Sequence, residues 1–210
     1  PVNPPLLKTW NGQGLSGVNG YVHDVYVRDG RAHPAMIYDG LYVILNVSNL
    51  PNTSIISSVE TGEDFTHSTW TTADGSIAVT ADEKSGSRNL QLWDISNATT
   101  PLLLSSLAQG NNNTPHNPYI LGDVCHVSYY DVGYVAYDIS DPVQPVERGR
   151  FDTTKGADPP ALFFGAWGCY PFAPSGVVYV SDINNGLYLF RLNQDCPQDP
   201  SGRPAVCDTW

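Results

Sequence analysis

One pattern recurs four times along this 210-residue chain, and it limits the fold more than any other feature. Each copy opens with a ring-bearing residue followed three places later by an aromatic. The openings are His23-Asp24-Val25-Tyr26, His67-Ser68-Thr69-Trp70, His116-Asn117-Pro118-Tyr119 and Trp167-Gly168-Cys169-Tyr170, spaced 44, 49 and 51 residues apart. A second strand-like run follows at 31–37, 76–80, 124–129 and 177–181, each ending near an aspartate: Asp39, Asp82, Asp131 and Asp182. A third run reads Leu41 to Ser48, Leu90 to Ser96, Tyr134 to Ser140 and Leu187 to Leu192. Gly40, Gly133 and Gly186 precede it in three copies, as a hairpin turn requires. A Pro/Asn turn then leads to a fourth run at 53–59, 101–107 and 145–151.

Four short strands per unit of about 45 residues is the grammar of a propeller blade. A blade cannot bury both faces alone, so it stacks on its neighbours around an axis. A β-sandwich also uses short strands, but it has no reason to repeat a His-x-x-aromatic opening. The expected fold is therefore all-β, a β-propeller built from four repeated four-stranded blades. Composition agrees: 19 Gly and 17 Pro stand against four Glu and three Lys. Helix formers are scarce and turn formers abundant, which excludes a helical bundle or a doubly wound α/β fold. With 21 acidic residues against 10 basic ones, the net charge of −11 argues against nucleic acid and against an anionic membrane surface. No apolar run approaches the roughly 20 residues of a membrane-spanning helix.

The register reaches back to the N-terminus, where Pro1 to Lys8 matches Pro142 to Glu147 and Thr100 to Leu104. Residues 1–10 are thus expected to form the fourth strand of a preceding or closing blade, because the last repeat has none of its own. Two readings follow: a closed four-bladed ring, or part of a larger propeller whose other blades lie elsewhere or in another chain. Residues 1–193 form the repeats, and 194–210 a tail. In that tail Cys196 and Cys207 bracket a Pro/Gly/Asp-rich loop that a disulfide would close. Four N-x-S/T sequons, at Asn46, Asn52, Asn97 and Asn112, are candidate glycosylation sites. An even cysteine count without C-x-x-C, together with these sequons, points to an oxidising, secreted or cell-surface setting.

The third strands, ending in Asp-Ile-Ser at 94–96 and 138–140, resemble the LVIVD repeat. The runs His116 to Tyr119, Val127 to Asp131, Gly165 to Gly168 and Val180 to Tyr188 resemble the choice-of-anchor B subset of that family. The resemblance covers residues 1 to about 192 and implies a secreted or surface-anchored β-propeller with no established catalytic activity. Against its pattern, Asn46 replaces an aspartate, and His33-Pro34 interrupts a second strand, which is expected to be irregular or at an edge. Cys125 and Cys169 are also unusual there. Being in neighbouring repeats, they suggest an inter-blade disulfide, against the plainer reading of two buried thiols.

First strands of propeller blades line the central channel. His23, His67 and His116 share one repeat position there, so they could converge on a transition metal, with Asp24 as a further ligand or partner. The fourth copy has Trp167, which cannot ligate, and the plainer reading is that these histidines tie blade to blade. The repeated aspartates suggest turn capping. The alternative is structural calcium, for which Asp82 (beside Glu83) and Asp182 (beside Asn184-Asn185) are the candidates. There is no nucleophile elbow, phosphate loop or His-Glu-x-x-His, and catalytic residues are not assigned. The function expected is a non-catalytic binding, adhesion or assembly module. Its partners would be a protein or carbohydrate surface, or another copy or chain completing the propeller. The alternative is a metal-dependent enzyme with a histidine-lined channel.

Overall fold

The computed structural model describes residues 3–110, 113–154 and 163–192. Four separate antiparallel sheets follow one another along the chain. The first comprises β1 (Asp24–Arg28), β2 (Arg31–Met36), β3 (Leu41–Asn46) and β4 (Ser54–Glu60). The second comprises β5 (Thr66–Thr71), β6 (Ile77–Asp82), β7 (Leu90–Asp94) and β8 (Leu102–Ser106). The third comprises β9 (Pro115–Leu121), β10 (Val124–Tyr129), β11 (Gly133–Asp138) and β12 (Val146–Phe151). The fourth has three strands, β13 (Ala166–Tyr170), β14 (Val178–Asp182) and β15 (Gly186–Phe190). Strands pair in chain order within every sheet, and the opening strands of successive sheets lie side by side. This is a β-propeller architecture, with one blade per sequence repeat.

The core is layered between blades because strand side chains alternate between two faces. Tyr42 and Ile44 of the first blade pack on Ala78, Trp93 and Ile95 of the second. Val79 and Leu92 of the second pack on Cys125, Val127, Val135 and Tyr137 of the third. From the other face of that third sheet, Tyr134 and Ala136 pack on Cys169, Val178 and Val180 of the fourth. Interior blades are thus buried on both sides. The third strands end in a shared turn: Asp94 Oδ1 accepts from the Ser96 N–H at 2.9 Å and Asp138 Oδ1 from Ser140 at 3.0 Å. Asn46 Oδ1 accepts from Ser48 at 3.0 Å, so an amide oxygen does what the aspartate does. Pro34 sits in a central strand rather than at an edge. The β2–β3 ladder skips His33 and Pro34, as a residue without an N–H requires.

Two expectations are corrected. Residues 3–23 form no strand, so 1–10 does not supply a fourth strand to the last blade within the described residues. Instead Trp10, Leu15, Val18 and Val22 pack on Ala32, Met36, Val43 and Leu45, on the side of the first blade that has no preceding blade. Asp39 holds this segment by accepting from the N–H of Asn19 at 2.6 Å and of Gly20 at 3.2 Å. Cys125 and Cys169 are free, buried thiols rather than a disulfide pair. Cys125 belongs to the layer between the second and third blades and Cys169 to the layer between the third and fourth, so the third sheet stands between them. Burial pushes the Cys125 thiol up to about 12, so it remains a thiol at neutral pH. Cys196, Cys207 and Asn112 lie outside the described residues. Among the described residues, no helix is long and apolar enough to cross a membrane.

Candidate functional site at the propeller axis

The opening strands bring the repeated rings into one staircase. His23 lies against His67 with ring centroids 4.2 Å apart, His67 against His116 at 4.3 Å, and His116 against Trp167 at 4.3 Å, each pair tilted rather than stacked. Each histidine also bonds to the backbone of the next blade at the same repeat position. His23 Nδ1 meets the His67 carbonyl at 3.1 Å, His67 Nδ1 meets the His116 carbonyl at 3.1 Å, and His116 Nδ1 meets the Trp167 carbonyl. A carbonyl can only accept, so each Nδ1 carries the proton. Ser68 Oγ donates to the same His116 carbonyl at 2.8 Å, and Ser128 Oγ to that of Trp167 at 3.0 Å. Blade-to-blade tying by these histidines is therefore real.

The other ring nitrogen is left over. In a neutral imidazole protonated at Nδ1, Nε2 is a bare lone pair. His67 Nε2 lies 3.7 Å from Glu83 Oε2 and His116 Nε2 lies 3.8 Å from Glu83 Oε1. Glu83 follows Asp82 at the end of β6, beside the start of β5 because Thr66 pairs with Asp82. Its Oε1 also accepts from the Tyr130 hydroxyl. Burial lowers the imidazole of His67 to about 3, with the neighbouring histidines adding to the effect, and that of His116 to about 4. Both rings are thus neutral at pH 7, and the removal of water outweighs the adjacent carboxylate.

The structure brings together two of the four residues expected to meet at a metal. His67 and His116 converge with Glu83, whose scarcity in the sequence gave no hint of its place. His23 is exposed and outside the cluster, although it belongs to the same staircase. Asp24 is exposed, and its Oδ1 accepts from the Val25 N–H at 2.8 Å. Asp82 and Asp182 act in turns of different blades. Asp82 Oδ2 accepts from the Glu63 N–H at 2.6 Å, and Asp182 Oδ1 accepts from Asn184 at 2.8 Å and Asn185 at 2.7 Å. Neither joins a group of three ligating side chains among the described residues. Asn46, Asn52 and Asn97 are exposed, though Asn46 and Asn97 use their side-chain oxygens in local turns.

The staircase also sets a lower bound on the blade rotation. Successive rings are inclined by 44°, 42° and 43°. Two rings related by rotation about an axis cannot be inclined by more than that rotation. Each step therefore turns by at least about 43°, and a complete ring holds at most about eight blades. Among the described residues, no hydrogen bond, ion pair or ring contact joins the first sheet to the fourth. Val25 and Val27 at one end, and Tyr170, Leu187 and Leu189 at the other, are half or more exposed. Leu90 and Leu92, the interior counterparts of Leu187 and Leu189, are fully buried, and Thr69 and Thr71, which stand where Val25 and Val27 do, are buried as well.

No protein-family profile matches the chain, and no curated protein sequence matches it. Solved structures do. The computationally designed Ika4 protein superposes with a TM-score of 0.63 at 11% identity, covering 90% of this chain and 99% of that one. The designed Ika8 protein gives 0.58 at 8% identity, covering 82% of this chain and 46% of that one. The periplasmic gluconolactonase PpgL of Pseudomonas aeruginosa gives 0.62 at 16% identity, covering 87% of this chain and 52% of that one. The chain thus spans about half the length of the last two, and at such identities the likeness establishes the propeller fold alone.

Proposed function

We propose that this chain is a non-catalytic binding and assembly module, half of a β-propeller that closes against a second copy of itself. The carrying observation is the rotation per blade. Each step turns by at least about 43°, so four blades fill about half a turn or more, and with no bond or ring contact joining the first sheet to the fourth among the described residues they leave two unlike end faces, one at β1 and one at β14–β15. A two-fold rotation about the propeller axis sets the fourth blade of each copy on the first blade of the other. It sets Leu187 and Leu189 towards the exposed Val25 and Val27, beside the segment 10–22 that covers Ala32, Val43 and Leu45 on the same side. Binding of a protein or carbohydrate surface would then use the loops and the channel mouth. The sequons and the resemblance to the LVIVD family support a secreted or surface setting.

Light scattering with small-angle X-ray scattering on the purified chain tests this. A dimer with a disc-like envelope is expected, and Leu187→Asp with Leu189→Asp should convert it to a folded monomer. A wild-type monomer at tens of micromolar would overturn the reading. The second reading, an enzyme with a histidine-lined channel, draws on the His67–Glu83–His116 cluster. The lactonase activity named for PpgL belongs to that protein.

A further inference from the structure

The geometry points to a divalent transition-metal site of the zinc class held by His67 Nε2, His116 Nε2 and the carboxylate of Glu83. It lies within one chain and does not depend on ring closure.

Three observations carry it. The ligand atoms of these residues all lie within 4.8 Å of one another, and no other such group of three His, Cys, Asp or Glu occurs among the described residues. Next, both Nδ1 atoms are taken up by carbonyls of the next blade, so Nε2 is the ring atom that each histidine turns towards Glu83. A cation between two such nitrogens and a carboxylate converts this juxtaposition into coordination. Finally, the outer contacts of a metal site are already in place. Each histidine donates its far N–H to a backbone carbonyl, and Glu83 accepts from Tyr130, which orients the ligands before any ion arrives.

The donor set selects the class of ion. Two imidazole nitrogens with one carboxylate suit zinc and its divalent neighbours, whereas calcium takes oxygen ligands. Zinc holds nitrogen and oxygen at about 2.0–2.2 Å, which places tetrahedral ligand atoms about 3.4 Å apart. The present nitrogen–oxygen separations are 3.7 and 3.8 Å, one to each oxygen of Glu83, and all the ligand atoms lie within 4.8 Å, so the three side chains would close in on a bound ion. Three protein ligands leave at least one position for water or a donor atom from a bound partner. Phe163 and Trp167, both about half exposed, flank Tyr130 beside it, so an incoming donor group would arrive along an aromatic wall.

The test uses the full chain stripped of metal with a chelator. Titration with Zn²⁺ should show one equivalent bound saturably, with a rise in the thermal midpoint. Co²⁺ should give the intense visible bands of a four-coordinate nitrogen–oxygen site, and excess Ca²⁺ should displace neither ion. Glu83→Gln keeps an acceptor for Tyr130, so the metal-free midpoint should stay close to wild type while Zn²⁺ affinity falls at least about tenfold. The Co²⁺ spectrum reads the wild-type protein and stands even if that variant folds poorly. Failure of Zn²⁺ to saturate a single site, octahedral-type Co²⁺ bands, equal competition by Ca²⁺, or unchanged affinity in a folded Glu83→Gln protein would each overturn the site.

Discussion

His33 and His126 occupy the same place in the second strands of the first and third blades. Each is buried with Nδ1 on a tyrosine hydroxyl, Tyr42 at 2.8 Å and Tyr134 at 2.7 Å. Burial lowers both to about 4, with the charges of Arg31 and Arg148 acting in the same direction. A histidine whose folded pKa lies below its unfolded value of 6.5 costs nothing above pH 6.5. As pH falls from 6.5 towards 4, the unfolded chain takes up a proton that the folded one refuses, so stability is lost. At about 1.4 kcal/mol per pH unit the loss is on the order of 3 kcal/mol for each histidine. Asp82 opposes it: burial raises its carboxyl to about 6, so below pH 6 its protonation favours the folded state. Once His67 and His116 are counted, four histidines stand against Asp82 and Asp131, whose carboxyl is also raised by burial. Net acid destabilisation is therefore expected between pH 6.5 and 4. His126→Gln, which keeps a partner for Tyr134, should flatten part of that slope. Urea midpoints at pH 7.5 and 4.5 measure it, and an equal slope in wild type and variant would refute it. These histidines were visible in the sequence only as letters, because the tyrosine that each meets lies across a strand pair.

At the scale of elements, the connection from the third blade to the fourth depends on Gly165. Its φ is +106°, and a Cβ there would collide with the Tyr130 carbonyl oxygen, which itself accepts from the Ala166 N–H. Its own carbonyl accepts from Ile183, and its N–H donates to Asn184 Oδ1 at 3.1 Å. Gly165→Ala should therefore destabilise by more than about 2 kcal/mol, through both backbone strain and collision. Chemical denaturation read by tryptophan fluorescence checks this, and a loss below about 0.5 kcal/mol would contradict it. Strand order and turns were legible in sequence because hairpin pairing is local. Period-two alternation and turn residues placed β10 at Val124–Tyr129 without help from the rest of the chain. The N-terminal segment departs from the expected strand for the complementary reason. Its Pro-Val-Asn-Pro start matches true turns elsewhere, but a fourth strand has to reach the open edge of β15 in the last blade, and residues 3–10 pair with no strand among the described residues. Its apolar residues cover the first blade instead.

Over the whole molecule, a net charge of −11 on each copy sets association between two apolar end faces against like-charge repulsion. Dimerisation should therefore strengthen from low salt to about 0.5 M NaCl, where the Debye length falls below about 5 Å. Sedimentation velocity across that range reads it, and weakening with salt would show that charged rather than apolar contacts hold the copies together. The sequence by itself determined the number of blades, the order of their strands and the column of rings at the axis. Each of these follows from spacing, alternation and turns within about 45 residues. Tertiary structure alone decided that Glu83 faces His67 and His116, that Cys125 and Cys169 lie on opposite sides of the third sheet, and that among the described residues no bond or ring contact joins the first blade to the fourth. Those outcomes depend on how far each blade turns relative to the last. That angle is set by side-chain packing between sheets, which no local pattern of residues encodes.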